Sequence, residues 1–95
     1  MGTVKFQTHM SGGNGNLQVT FDNVADVLTF DQNSDDPQEV DLPQGANGYT
    51  VTGAASPGPG GNIHLIITGE VDEVYPQDFG PGNIPDQSFA IFVTS

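Results

Sequence analysis

The densest run of oxygen-bearing side chains is Asp31-Gln32-Asn33-Ser34-Asp35-Asp36. Oxygen ligands at alternate positions let a loop curl around a hard cation such as Ca²⁺, which takes about six to eight of them. The EF-hand pattern breaks here. Asp36 stands where a glycine makes that loop's sharp turn, and Leu42 stands where its bidentate acid falls. Glu39 lies close enough in sequence to contribute. A second acidic group follows at Glu70, Asp72, Glu73 and Asp78, and at strand spacing Glu70 and Asp72 share a face. If the two loops meet at one end of the fold, they hold one cation jointly. The candidate metal ligands are therefore Asp31, Asn33, Asp35, Asp36, Glu39, Glu70 and Asp72, with Ca²⁺ as the candidate cofactor. The plainer reading is that these are solvated turn residues.

Paired carboxylates also raise glycoside hydrolysis, which needs two acids across a sugar-binding cleft. The chain has no tryptophan for an aromatic platform and is too short for a deep cleft. What the acidic stretch does offer is a ligand group: Tyr75, Asp78, Phe79 and Asn83, set in an unusually long irregular segment. His9 and His64 are the only histidines, and both fall on the outward side of alternating segments. A zinc site would require their strands to be neighbours with further acids at hand, so the expectation is two ordinary surface histidines. No G-x-S-x-G elbow is present, and the glycine turns follow neither the phosphate-loop nor the dinucleotide spacing. The chain reads as a non-enzyme.

Charge narrows the partners. The formal net charge is −11, and Lys5 is the single base. One base cannot hold a phosphate backbone, because nucleic-acid affinity comes from several Lys or Arg contacts. Nucleic acid and anionic membranes are thereby disfavoured, while cations and basic protein surfaces fit. No cysteine occurs, so neither a disulfide framework nor a thiolate zinc site is available. The longest apolar run is Leu65-Ile66-Ile67, far short of a membrane span. The start, Met1-Gly2-Thr3-Val4-Lys5-Phe6, has no apolar signal region and misses the myristoylation pattern at Phe6. An extracellular or cell-surface setting is expected, with the cytoplasm as the alternative.

The elements that must carry these residues read as strands. From Thr3 to Met10 apolar and polar side chains alternate, Ser11 to Asn16 is a glycine–asparagine turn, and Leu17, Val19 and Phe21 resume the alternation. Residues 16–22 and 26–31 form two strands around a tight connection at Asn23-Val24-Ala25. β-Branched residues there argue against the helix that Leu17, Phe21, Val24 and Leu28 would also fit. Further strands are expected at Gln38 to Leu42, Tyr49 to Ala54, Asn62 to Thr68 and Ser88 to Thr94. Gly45 and Asn47-Gly48 form a turn, and Gly69 to Gln87 is irregular with at most a short edge strand at Val71 to Tyr75. Ser88 to Thr94 is apolar on both faces, which suggests a central strand or one covered by a partner. No internal sequence repeat is apparent. The expectation is one all-β domain over residues 1–95, a two-sheet antiparallel sandwich, Ig-like or jelly-roll, of about six to eight short strands.

The segments Asp41-Leu42-Pro43, Gly48 to Ala54 and Gly61 to Ile67 look like the middle of many bacterial surface Ig-like modules. In those, a Gly-Tyr-Thr-Val strand precedes a glycine turn and an aliphatic strand. Ile63 to Ile67 together with Gln87 to Val93 is also similar to the last two strands of galactose-binding jelly rolls. There an asparagine-rich loop supports calcium and sugar, and here Asn83-Ile84-Pro85-Asp86 takes its place. Both resemblances are generic, and both imply binding. The functional expectation is a non-catalytic binding, adhesion or assembly module, stabilised by calcium at its acidic loops. A calcium-dependent carbohydrate-binding protein and an acidic inhibitor of a basic partner are the alternatives. The partner is a protein or a glycan, and self-association through the C-terminal strand, where Phe92 and Ala90 lie outward, is a further expectation.

Overall fold

A computed structural model describes residues 1–13, 15–31, 37–58, 60–73 and 75–95, with the backbone alone at 75 and 76. The described residues form eight strands: β1 (Gly2–Ser11), β2 (Asn16–Phe21), β3 (Val27–Phe30), β4 (Gln38–Leu42), β5 (Gly45–Ala54), β6 (Asn62–Gly69), β7 (Tyr75–Phe79) and β8 (Asn83–Val93). They make two four-stranded antiparallel sheets, ordered β4-β1-β6-β7 and β3-β2-β5-β8. The expected two-sheet sandwich is what the chain forms. Among the described residues there is no helix, and so none long and apolar enough to cross a membrane.

Period-two burial builds each layer. On β1, Val4, Phe6, Thr8 and Met10 turn inward, while Lys5 and His9 are exposed. Leu17 and Val19 of β2, Tyr49 and Val51 of β5, and Ile63, Leu65 and Ile67 of β6 meet them between the sheets. Phe6 and Tyr49 cross edge-on at the centre, with centroids 5.8 Å apart and planes at 80°. That arrangement places the positive edge of one ring on the negative face of the other.

The sheet orders contain an internal two-fold relation. Advancing every strand by four turns β4-β1-β6-β7 into β8-β5-β2-β3, which is the second sheet read backwards. Each half is a Greek key folded across the sandwich, with β4 beside β1 and β2 beside β3, then β8 beside β5 and β6 beside β7. Ladder registers obey the relation residue by residue. Gly2↔Leu42 matches Gly45↔Val93, Phe6↔Ile67 matches Tyr49↔Phe21, and Leu17↔Phe30 matches Ile63↔Phe79. A repeat that was not apparent along the chain thus emerges: Gly2-x-Val4-x-Phe6 against Gly45-x-Asn47-x-Tyr49, and Asn16-Leu17-x-Val19 against Asn62-Ile63-x-Leu65. It is hidden because the loops differ in length and the equivalent residues share size and burial more than type.

Departures from the symmetry have local causes. Asn47, the counterpart of Val4, is buried and donates through Nδ2 to the Pro43 and Gly45 carbonyls at 2.7 and 3.0 Å. It thereby shapes the short β4–β5 link, and its Oδ1 accepts from Asn23 Nδ2 at 2.8 Å. Tyr49, the counterpart of Phe6, donates its hydroxyl to Gln77 Oε1 at 3.0 Å, and Gln77 stands where the other half has Leu28. Both of these polar exchanges are matched by a partner, as burial demands.

The second half of the chain is more regular than its sequence suggests. Gly45 to Gly48 is the start of β5 and not a turn, and the stretch 69–87 contains β7 and the beginning of β8. Pro76 and Pro85 obscure these strands in the sequence. Both lie on edge strands, where a missing N–H breaks no ladder. The register along β5 and β8 shifts between Val51 and Gly53. Gly53 adopts φ +150°, and a Cβ there would run into the Asn16 carbonyl, so only glycine fits this irregularity. The last strand is an edge and not a central strand.

Candidate functional site

Asp31 does not meet Glu70 or Asp72. Asp31 follows Phe30, which pairs with Leu17 at the end of the sandwich carrying the glycine turn after Ser11. Glu70 and Asp72 follow Gly69, which pairs with Val4 at the opposite end. From Val4 to Ser11 the strand runs roughly 20–25 Å, too far for one cation to bridge. Glu39 sits on β4 opposite Lys5, in the same sheet as β6, and lines, with Asp26 and Asp41, an open concavity of about 540 Å³. Glu70 is held in a structural role. Its Oε2 accepts the Thr3 N–H at 2.7 Å, while its own N–H and carbonyl tie Thr3 and Thr94. Asp72 donates its backbone N–H to the Phe92 carbonyl at 3.1 Å. Asn33, Asp35 and Asp36 lie outside the described residues.

The ligand group fares differently. Asp78, Phe79 and Asn83 all line one concavity of about 270 Å³, together with Gly80, Pro81, Ile84, Pro85 and Gln87. It lies where β7 hands over to β8 at the glycine-turn end, between the open edges of the two sheets. The connecting residues 80–82 are clamped from below. Ala55 N–H donates to the Gly82 carbonyl at 2.8 Å, Gly82 N–H to the Ser56 carbonyl at 3.4 Å, and Asn62 Nδ2 to the Phe79 carbonyl at 3.3 Å. The peptide Gly80–Pro81 is cis. Phe79, expected to offer its ring, does not. It is 6% exposed and packs edge-on against Phe89 at 6.2 Å, because its place opposite Ile63 turns it into the core. Asp78, Asn83, Gln87, Pro81 and Pro85 are exposed around the rim. The side chain of Tyr75 lies outside the described residues.

Asp78 also belongs to a second arrangement, on the outer face of the first sheet. His9 pairs in register with His64, and His64 with Asp78, so the three form one row across β1, β6 and β7. His64 Nδ1 lies 2.7 Å from Asp78 Oδ1. The two histidines thus sit on adjacent strands with an acid alongside, the condition that the sequence alone could not establish. The alternation that put both histidines outward was legible; their register was not. Among the described residues no three His, Cys, Asp or Glu side chains converge as they stand on one metal position.

No family model, curated protein or solved structure gives a significant match to this chain.

Proposed function

We propose that this chain is a non-catalytic binding module that takes a neutral, hydroxyl-rich ligand, a glycan, at the β7–β8 edge. The observation that carries this reading is the gathering of Asp78, Asn83 and Gln87 around one concavity whose remaining walls include Pro81 and Pro85. The carboxylate accepts from hydroxyls, the amides both donate and accept, and the rigid pyrrolidine rings give apolar contact with little ordering cost. The volume, about 270 Å³, is near the lower end of small-ligand sites, about 300 Å³. The lining has no base and the chain carries −11, so anionic ligands are repelled. A non-catalytic role is favoured because the His64–Asp78 pair stands on an open sheet face, with side-chain exposures of 35% and 64%. Water there screens the charges that a catalytic pair relies on. Calcium at Asp31 and its neighbours is not needed for this ligand surface.

A glycan array probed with the native chain and with Asn83→Ala and Gln87→Ala tests the reading. Neutral glycans are expected to bind the native chain and to lose about tenfold or more with either variant. An array silent for the native chain would remove it.

Self-association is a second reading, favoured by β8. This strand is an edge whose residues Gln87 to Val93 carry no charge, with Phe92 50% exposed. Long uncharged edges are templates for another strand, and the partner we assign is the β8 of a second copy.

A further inference from the structure

We propose that the outer face of β1, β6 and β7 binds one late first-row divalent cation, such as Zn²⁺, Cu²⁺ or Ni²⁺. The ligands are Nε2 of His64 and the imidazole of His9, and Asp78 orients the first of them. The site is separate from the glycan surface proposed above and shares only Asp78 with it.

Three observations lead there. First, His9 and His64 are directly opposed partners on antiparallel strands. Opposed residues have Cβ atoms about 4.5–5.5 Å apart, so two imidazoles can reach one ion at the usual metal–nitrogen length of about 2.0–2.1 Å. Second, His64 Nδ1 is already held by Asp78 Oδ1 at 2.7 Å. With the proton on Nδ1, the Nε2 lone pair is free. The two nitrogens of an imidazole point in nearly opposite directions, so a ring whose Nδ1 faces β7 turns Nε2 away from β7, toward the side of β1 where His9 stands. A carboxylate behind a ligating histidine fixes its tautomer and raises its basicity. Third, His9 is exposed at its place on β1, so its side chain can rotate toward His64 without disturbing the core.

The donor set selects the metal. Imidazole suits zinc, copper and nickel, whereas calcium and magnesium require a shell of oxygens. With two protein nitrogens, water completes the coordination. The ion is therefore held modestly and keeps exchangeable positions. The −11 charge of the chain raises the local concentration of cations without choosing among them. Selectivity is left to the histidines.

Calorimetric titration of the full chain with ZnCl₂ in a non-chelating buffer tests the proposal. ¹H–¹⁵N spectra tuned to the imidazole nitrogens provide a second readout. One zinc per chain is expected, with the His64 Nε2 resonance moving most. His9→Ala and His64→Ala should each weaken binding tenfold or more, and Asp78→Asn about 10–100-fold. A large excess of Ca²⁺ should leave zinc binding unchanged. His9→Gln and His64→Gln serve beside the alanine variants, and melting curves without metal check that every variant folds. No zinc heat from the native chain, or affinity unchanged in a folded His9 or His64 variant, would overturn the site. Loss of zinc binding to Ca²⁺ competition would do the same, since it would place the ion at the acidic loops. A silent glycan array leaves this result untouched, because His9 lies outside that concavity.

Discussion

Thr8 is fully buried on β1, and its hydroxyl finds no hydrogen-bond partner among the described residues. Its counterpart in the other half of the chain is Val51, which is buried at the equivalent rung opposite Val19, as Thr8 is opposite Leu65. The molecule thus carries its own control for a hydroxyl in place of a methyl. An unsatisfied buried polar group costs about 1–3 kcal/mol, and Val has the shape of Thr without the donor. Thr8→Val is expected to stabilise the fold by about 1 kcal/mol and to raise the melting temperature by about 4–8 °C. A thermal melt that moves downward would mean that the hydroxyl is satisfied after all. The Tyr49–Gln77 bond shows the opposite solution, in which a polar group entered the core together with its partner.

At the scale of elements, the strands that alternate cleanly were legible in the sequence. β1, β2, β4 and β6 fall within a residue or two of their expected limits. β7 and the start of β8 were not, because Pro76 and Pro85 read as breakers until the strands are known to be edges. The same ignorance of neighbours limited the site. Asp78 and Asn83 stand out in the irregular stretch of the sequence and line one concavity, whereas Glu70 and Asp72 lie at the opposite end of the sandwich from Asp31. Alternation reports which face a side chain takes. Register and sheet order, which decide who stands beside it, come from long-range pairing. For β8, the edge position makes a measurable claim. Light scattering across a concentration series is expected to show dimers for the native chain. Phe92→Lys should leave a folded monomer, since charge on an edge opposes pairing. A native chain that stays monomeric at millimolar concentration would exclude the β8 contact.

The whole molecule is two interlocked halves. Each sheet takes two strands from each, so neither half closes a core by itself. Gly2 lies against Val93 and within reach of the Ser95 carbonyl, at the place where the other half has its Pro43-Gln44 link. A circular permutant that joins Ser95 to Met1 through a short glycine linker and opens between Pro43 and Gln44 is expected to keep the same fold. It should show a slightly lower melting temperature, because Asn47 would lose the link it braces. Circular dichroism and an amide spectrum matching the parent check this; a disordered permutant would show that the link has a folding role its counterpart lacks. The interleaving has a further result in a crowded solution. A first half of one copy presents to the second half of its neighbour every rung that it presents to its own. Opening the two-residue hinge at high protein concentration therefore allows copies to trade halves, and repulsion between chains of charge −11 opposes it.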